Sequence, residues 1–171
     1  MNTDRLLRFI AVGIVLLLLI SVGGYFLFKP STTMQPREAD TNAIYQVVGE
    51  FGERLKDVRV DVTASNQAMM AAVDWNLKQF ITDRLYQEFA QSPTKIPGRY
   101  MSSPWPERIE IKSVQMLDSG SYTVHGNQVL MTSDNVADGG NAGETPITLT
   151  LKKVNGAWLI DDVVGGTHPS A

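Results

Sequence analysis

The chain has 171 residues, of which 15 are Lys or Arg and 18 are Asp or Glu, so its formal net charge is −3. This mildly acidic balance provides no positive field for nucleic acid, and a nucleic-acid partner is therefore not expected. The chain contains no cysteine, which excludes disulfide bonds, thiolate metal sites, cysteine nucleophiles and a lipid-modified cysteine anchor.

The first element in chain order is an apolar run without a charge over residues 9–28, with Arg5 and Arg8 before it and Lys29 after it. A helix needs about 20 apolar residues to cross the hydrocarbon core of a bilayer. The run therefore predicts a transmembrane helix, with the bilayer as its partner. The two arginines favour a cytoplasmic tail over residues 1–8 and a C-terminal domain outside the cytoplasm.

A cleaved secretory signal is the alternative for this run, because residues 21–23, Ser-Val-Gly, have the small-x-small pattern of a cleavage site. The apolar run continues past this point through residues 25–28, Tyr-Phe-Leu-Phe, and aromatic residues in such a place are typical of an interfacial anchor. A retained anchor is thus favoured. The expected location is the cell membrane, crossed once.

A polar segment with two prolines follows the run, and residues 29–39 are predicted to form a tether. The rest of the chain, residues 40–171, has the usual size of one domain. Its first part shows apolar residues at helical spacing in three stretches. The first helix is expected over residues 40–57, a second after a cap at Ser65 or Asn66, and a third after a cap at Thr82.

Two glycines, Gly49 and Gly52, lie inside the first predicted helix. Each weakens a helix by roughly 1 kcal/mol relative to alanine. We interpret them as a sign that this part of the helix packs closely against another element.

Residues 92–106 contain four prolines and a glycine and are predicted to be irregular. Beyond them the apolar period changes to two, which predicts strands. The first strand opens at Ile109, with a bulge near residues 113–114, and the second covers residues 122–131. A loop over residues 133–144 then leads to the last two strands.

Strands over residues 147–152 and 158–163 are joined by Asn155 and Gly156, a pair that suits a two-residue hairpin turn. This last hairpin, LTLKKVNGAWLIDDV, preceded by helices and two strands, resembles the nuclear transport factor 2-like superfamily, also called cystatin-like α+β cones. The resemblance covers about residues 40–164. It implies an α+β fold in which about three N-terminal helices pack on a curved four-stranded antiparallel sheet, here preceded by the transmembrane helix.

The same layout on one N-terminal anchor resembles the inner-membrane assembly factors of type IV secretion machines, which implies partners among envelope proteins. Enzymes of the superfamily instead place Asp, His or Tyr inside the cone to move protons. On that alternative, Trp75, Tyr122, His125 and Asp161 are candidate cavity residues. The plainer interpretations stay open: core packing for Trp75, a surface or satisfied position for His125, and the polar end of a strand for Asp161.

Four further residues in or beside the proline-rich segment, Arg99, Tyr100, Trp105 and Arg108, belong to types enriched at interaction hot spots. They are our predicted partner-binding residues. The alternative is that Tyr100 and Trp105 fold back over the core, as in many loops of this length.

The loop over residues 133–144 is rich in Asp, Asn and Gly and offers oxygen atoms that suit calcium. Its spacing does not fit the helix-loop-helix calcium pattern, so we interpret it as a hairpin connection without a metal, and no cofactor is expected.

The predicted function is a non-catalytic, membrane-anchored binding or assembly module that contacts other envelope proteins or another copy of itself. The alternative is a small-ligand-binding or proton-transfer enzyme using the cone cavity. A transmembrane sensor is less favoured, because the predicted cytoplasmic tail is short.

Overall fold

The computed structural model of the chain describes residues 37–61, 63, 65–117 and 119–166. The predicted tail, the predicted anchor over residues 9–28 and most of the predicted tether lie outside the described residues. Within the described ranges, none of the helices combines the length and the apolar character needed to cross a bilayer.

Three helices form the N-terminal part of the domain, as the sequence predicts. Helix α1 (Glu38–Arg54) continues into a short 3-10 turn, Leu55–Asp57. It is followed by α2 (Asn66–Asn76) and α3 (Asp83–Gln91). Both predicted caps are confirmed, because the Ser65 Oγ accepts a hydrogen bond from the Ala68 N–H at 3.3 Å, and the Thr82 Oγ1 accepts one from the Leu85 N–H at 3.2 Å.

Four strands form one antiparallel sheet whose spatial order follows the chain order: β1 (Trp105–Met116), β2 (Tyr122–Met131), β3 (Gly143–Val154) and β4 (Ala157–Gly165). The predicted α+β class with a four-stranded antiparallel sheet is confirmed. Strand β1 begins at Trp105, earlier than the expected opening at Ile109, because an edge strand tolerates Pro106.

Two predicted irregularities of the sheet are also present. The pairing of β1 with β2 shifts between Ile111 and Ser113, which leaves Lys112 as an extra residue and matches the predicted bulge. At the last hairpin, Asn155 has a φ of 51° and Gly156 a φ of 88°, as a tight turn with left-handed residues requires.

The connection between β2 and β3 differs from the prediction of a loop. It contains a short helix, α4 (Ser133–Asp138). The Thr132 Oγ1 caps its start by accepting from the Asn135 N–H at 3.3 Å, and Gly139, with a φ of 72°, ends it. The Asp, Asn and Gly residues that indicated a loop therefore serve as cap and helix-end residues.

The helices cover one face of the sheet, where the apolar side chains of both layers meet. Helix α1 packs on β1 and β4, and α3 packs on β4. The buried apolar side chains include Ile44, Val48, Phe51, Leu55, Met69, Met70, Val73, Leu77, Leu85, Phe89, Tyr122, Val124, Ile147, Leu149, Leu151, Trp158, Ile160 and Val163.

Polar contacts connect the start of α1 to strands β2, β3 and β4. The Arg37 N–H donates to the Tyr122 hydroxyl at 3.2 Å. Asp40 Oδ1 accepts from Trp158 Nε1 at 3.1 Å and from Lys153 Nζ at 3.0 Å. These contacts join the first described residues to strands that come much later in the chain.

Candidate functional site

The backbone at Arg99 is held by a short parallel bridge to the segment after α1. The Arg99 N–H donates to the Val58 carbonyl at 2.8 Å, and the Val60 N–H donates to the Arg99 carbonyl at 2.8 Å. The proline-rich segment is thus irregular, yet fixed at this point by two backbone hydrogen bonds.

The Arg99 side chain is turned towards the start of β1. Its Nε donates to the Met101 carbonyl at 3.0 Å and its Nη2 to the Ser102 carbonyl at 2.5 Å. These bonds hold the guanidinium so that its Cζ lies 5.8 Å from the centre of the Trp105 ring, within cation–π range.

Trp105 is connected on its other side to an ion pair. Its Nε1 donates to Glu107 Oε2 at 2.8 Å, and Lys56 Nζ lies 2.9 Å from Glu107 Oε1. Burial raises the pKa of Glu107, but the hydrogen bonds from Lys56 and Trp105 outweigh it and lower the pKa below its usual value. The carboxylate is therefore ionised at neutral pH and keeps both donors oriented.

These side chains surround an open groove of about 350 Å³. Its lining residues, which together define the Trp105 groove, are Lys56, Asp57, Arg99, Trp105 and Glu107. An oriented aromatic ring beside a guanidinium, a lysine and two carboxylates is suited to contacting a protein surface with mixed charge.

The structure brings together two of the four predicted partner-binding residues, Arg99 and Trp105. Tyr100 is turned back onto its own loop, with its hydroxyl 2.8 Å from the Thr94 carbonyl and 3.0 Å from that of Ile96. Burial raises the pKa of Tyr100 to about 12. Arg108 pairs with Glu110 at 2.6 Å along β1 and does not line the Trp105 groove.

Three residues of the groove, Lys56, Asp57 and Glu107, were not predicted from the sequence. Glu107 had no usable signal, because Trp105 lies in the segment predicted to be irregular, and the pairing of β1 with β2 shifts between Pro106 and Arg108. Lys56 had none, since it is brought to β1 only by the packing of the turn after α1 on that strand.

The four candidate cavity residues are not brought together. Tyr122 is fully buried on β2, with its ring edge-on to Trp158 at a centroid distance of 5.0 Å. His125 is exposed on the sheet face opposite the helices, where its Nδ1 lies 3.1 Å from Thr148 Oγ1. Trp75 is 85% exposed on α2.

Asp161 is buried, but it belongs to a network of ion pairs and a hydroxyl. It is an extra residue of β4 at a register shift. Its Oδ1 accepts from Thr82 Oγ1 at 2.8 Å and lies 3.3 Å from Arg84 Nε, while its Oδ2 lies 2.6 Å from Lys152 Nζ. Burial raises the pKa of Asp161, but the bonds from Lys152, Thr82 and Arg84 outweigh it and lower the pKa.

A proton-transfer site needs acidic or basic side chains that face one space. A carboxylate that acts as the general base there needs a pKa raised towards neutrality. Here the lowered pKa of Asp161 opposes the role of a neutral acid or a base. The space between helices and sheet holds fully buried side chains such as Phe51, Phe89 and Tyr122. In the part of the chain that the structure describes, no three His, Asp or Glu side chains form a group able to hold a metal ion.

No protein-family model matches the chain, and no curated protein matches it. Among solved structures, it is similar to the crystal structure of a protein of unknown function from Bacteroides thetaiotaomicron VPI-5482. The two share 16% sequence identity, the match covers 74% of this chain and 95% of that chain, and the TM-score is 0.37. A likeness this distant carries no argument about function.

Proposed function

We propose that the chain is a membrane-anchored, non-catalytic binding or assembly module that works outside the cytoplasm by contacting other envelope proteins. One observation carries the proposal. The side chains that a catalytic cone would need are dispersed over the core, the outer sheet face and the surface, whereas Arg99 and Trp105 are held at an open groove by hydrogen bonds and an ion pair.

The anchoring part of the proposal is supported by the uncharged apolar run over residues 9–28, and the orientation by the two arginines that precede it. Membership in the nuclear transport factor 2-like superfamily is part of the same proposal. Its support is the order of elements, three helices followed by four antiparallel strands in chain order, and the tight Asn155-Gly156 hairpin at the end.

The test uses the absence of cysteine, since an introduced cysteine is the chain's sole thiol. Met101, which is 47% exposed and adjoins the groove through the bond of its carbonyl to Arg99, is replaced by cysteine in the full chain and labelled with a photo-crosslinker in native membranes. We expect a reproducible set of envelope proteins to be crosslinked. A second variant, Met101→Cys with Trp105→Ala, should lower that yield about tenfold, because an aromatic hot spot is lost.

Two matched controls accompany this experiment. Gln87→Cys places the same label on the exposed side of α3 and should not capture the set. Trp75→Ala removes a different exposed tryptophan and should leave the Met101→Cys yield unchanged. An unchanged yield in the Trp105→Ala variant, or recovery of the full chain in the soluble fraction after cell lysis, would contradict the proposal.

A further inference from the structure

One end of the sheet carries both of its tight hairpin turns. The turn between β1 and β2 is closed by the Leu117 N–H, which donates to the Ser121 carbonyl at 2.8 Å, and the turn between β3 and β4 is formed by Asn155 and Gly156. Because the strands are antiparallel and pair in chain order, these two turns lie at one end of the sheet and the connection with α4 at the other. The two turns define what we call the hairpin end.

Helix α1 starts at this same end. The Arg37 N–H donates to the hydroxyl of Tyr122, the first residue of β2, and Asp40 accepts hydrogen bonds from both strands of the last hairpin. Only residues 29–36 separate Arg37 from the apolar run. Eight residues span at most about 29 Å when fully extended. If the apolar run crosses a bilayer, the surface of that bilayer therefore lies close to the start of α1.

Both turns of the hairpin end expose an apolar side chain. Leu117 is 37% exposed and Val154 is 38% exposed. Ala157, which pairs with Val154 across the second turn, is exposed as well. The interfacial layer on each side of the hydrocarbon core of a bilayer is about 5–7 Å thick. A turn that enters this layer transfers its apolar side chain out of water, which is favourable.

A polar depression of about 290 Å³ lies beside these turns. It is lined by Ser119, Gly120, Ser121, Lys152 and Lys153. Lys152 Nζ lies 2.6 Å from Asp161 Oδ2, and Lys153 Nζ lies 3.0 Å from Asp40 Oδ1. An ammonium group has three N–H donors, so each lysine can also donate to a phosphate oxygen, as the serine hydroxyls can. Because the two carboxylates balance the two lysines, the depression suits the phosphate of a zwitterionic lipid as well as that of an anionic one.

We propose that the hairpin end rests on the surface of the bilayer, with Leu117 and Val154 in the interfacial layer and a lipid phosphate in the depression. The inference rests on the proposed anchor, because a short tether gives a weak contact a high effective concentration. It also gives the proposed function an orientation. Trp105 lies at the opposite end of β1, about 35 Å along the strand from Met116, so the Trp105 groove is held away from the bilayer and is open to other envelope proteins.

The test is collisional quenching in vesicles of phosphatidylcholine, part of which carries a nitroxide on its headgroup. The full chain is reconstituted with a fluorophore on Ala157→Cys, its sole thiol. We expect the nitroxide lipid to lower the emission several-fold, because quenching requires contact with the headgroup layer. The same fluorophore on Val136→Cys, at a residue 63% exposed on α4 at the opposite end, should keep its emission.

A second substitution tests the apolar contact itself. Val154→Asp, added to Ala157→Cys, should lower the quenching about threefold, because a charge replaces an apolar side chain in the interfacial layer. Val136→Asp is the matched control and should leave the quenching unchanged. Added phosphatidylglycerol should also change it little, because the charges beside the depression are balanced. The melting temperature should stay the same after Val154→Asp, so that lost quenching reports a lost lipid contact.

The outcomes separate this inference from the proposed anchor. Equal emission loss at the two labels, in a chain that floats with the vesicles, would overturn the inference and leave the anchor in place. Unchanged quenching after Val154→Asp, or quenching only when phosphatidylglycerol is present, would overturn it too. A chain that does not float with the vesicles would contradict the anchor and the inference together.

Discussion

At the scale of single residues, Asp161 is the one charged residue that is buried in the part of the chain that the structure describes. Its carboxylate is nearly buried, yet it is satisfied by the Thr82 hydroxyl and by two cations, Arg84 and Lys152. The Thr82 hydroxyl also caps α3, so one short network fixes a helix start against an edge strand. Both cations are about half exposed, and solvent therefore screens part of their attraction.

We expect Asp161→Asn to lower the free energy of unfolding by about 1–3 kcal/mol at pH 7, measured by urea denaturation. The amide keeps the volume but loses the charge that pairs with Lys152 and Arg84. Because the pKa of Asp161 is lowered in the folded state, its contribution is present above the ordinary value of 3.8 and is lost as the pH falls through the folded pKa. The difference from the natural chain should therefore shrink in acid.

The neighbouring residue provides the control for this variant. Asp162 is more exposed and its Oδ1 lies 3.7 Å from Arg84 Nη2. Asp162→Asn should cost less than about 1 kcal/mol, as exposed ion pairs do. Equal losses in the two variants would contradict the special role of Asp161.

At the scale of elements, α1 approaches β1 closely at Gly52. A Cβ added there would lie 2.8 Å from the backbone nitrogen of Ile109 on β1, a distance that real Cβ atoms do not show. A Cβ added at Gly49, one turn earlier, would meet no atom within 4 Å. The sequence predicted close packing for both glycines, and the structure assigns it to Gly52 alone of the two.

Replacement by alanine should therefore change the free energy of unfolding in opposite directions at the two glycines. Gly49→Ala should raise the free energy of unfolding by about 0.5–1 kcal/mol, because alanine favours helix. Gly52→Ala should lower it by about 1–3 kcal/mol, because α1 or β1 must shift. Urea denaturation measures the free energy of unfolding of both variants. A Gly52→Ala variant more stable than the natural chain would contradict this prediction, because it would show that α1 can move away from β1 without loss of stability.

At the scale of the whole molecule, acidic residues paired with cations are spread over both layers. Their pKa values are lowered in the folded state at Asp40, Asp74, Glu88, Glu107, Glu110 and Asp161. In four of them the largest cause is a hydrogen bond from a lysine or arginine, whereas at Glu107 and Asp161 burial opposes the shift and the hydrogen bonds outweigh it.

Because these carboxylate pKa values are lowered in the folded state, the unfolded chain binds more protons than the folded chain in acid. The stability of the fold therefore rises with pH in the acidic range. We expect the melting temperature to stay nearly constant between about pH 8 and pH 6 and to fall below the ordinary carboxylate values of 4.5 and 3.8. Added salt should reduce the fall, since most of these groups are exposed. A melting temperature that dropped mainly between pH 8 and pH 6 would contradict this assignment.

Much of the fold was predictable because its signals are local. The Ser65 and Thr82 caps, the Asn155-Gly156 turn and the alternation of β3 each act within a few residues, and each is confirmed. The short helix α4 was missed because its cap and its terminal glycine belong to the same residue types that mark loops.

The candidate sites were less predictable because tertiary packing decides them. Trp75 was a candidate cavity residue, but the core covers the opposite side of α2, where Met69 and Val73 are buried. The Trp105 groove depends on Lys56, which the chain brings to Glu107 across 51 positions of sequence. No pattern within a short window contains such a pair.

The chain order of the four strands bears on how the domain is assembled during synthesis. Each strand pairs with the next one along the chain, so each pairing closes only a short loop and is expected to form fast. Helix α1 is the first of the described elements to be synthesised. The hydrogen bond from Trp158 to its Asp40 can form only when Trp158, 118 positions later, has also been synthesised. On the ribosome, therefore, α1 can meet β1 first but completes its packing only after β4 has been made, so part of its apolar side stays uncovered in the nascent chain, and exposed to aggregation, until then.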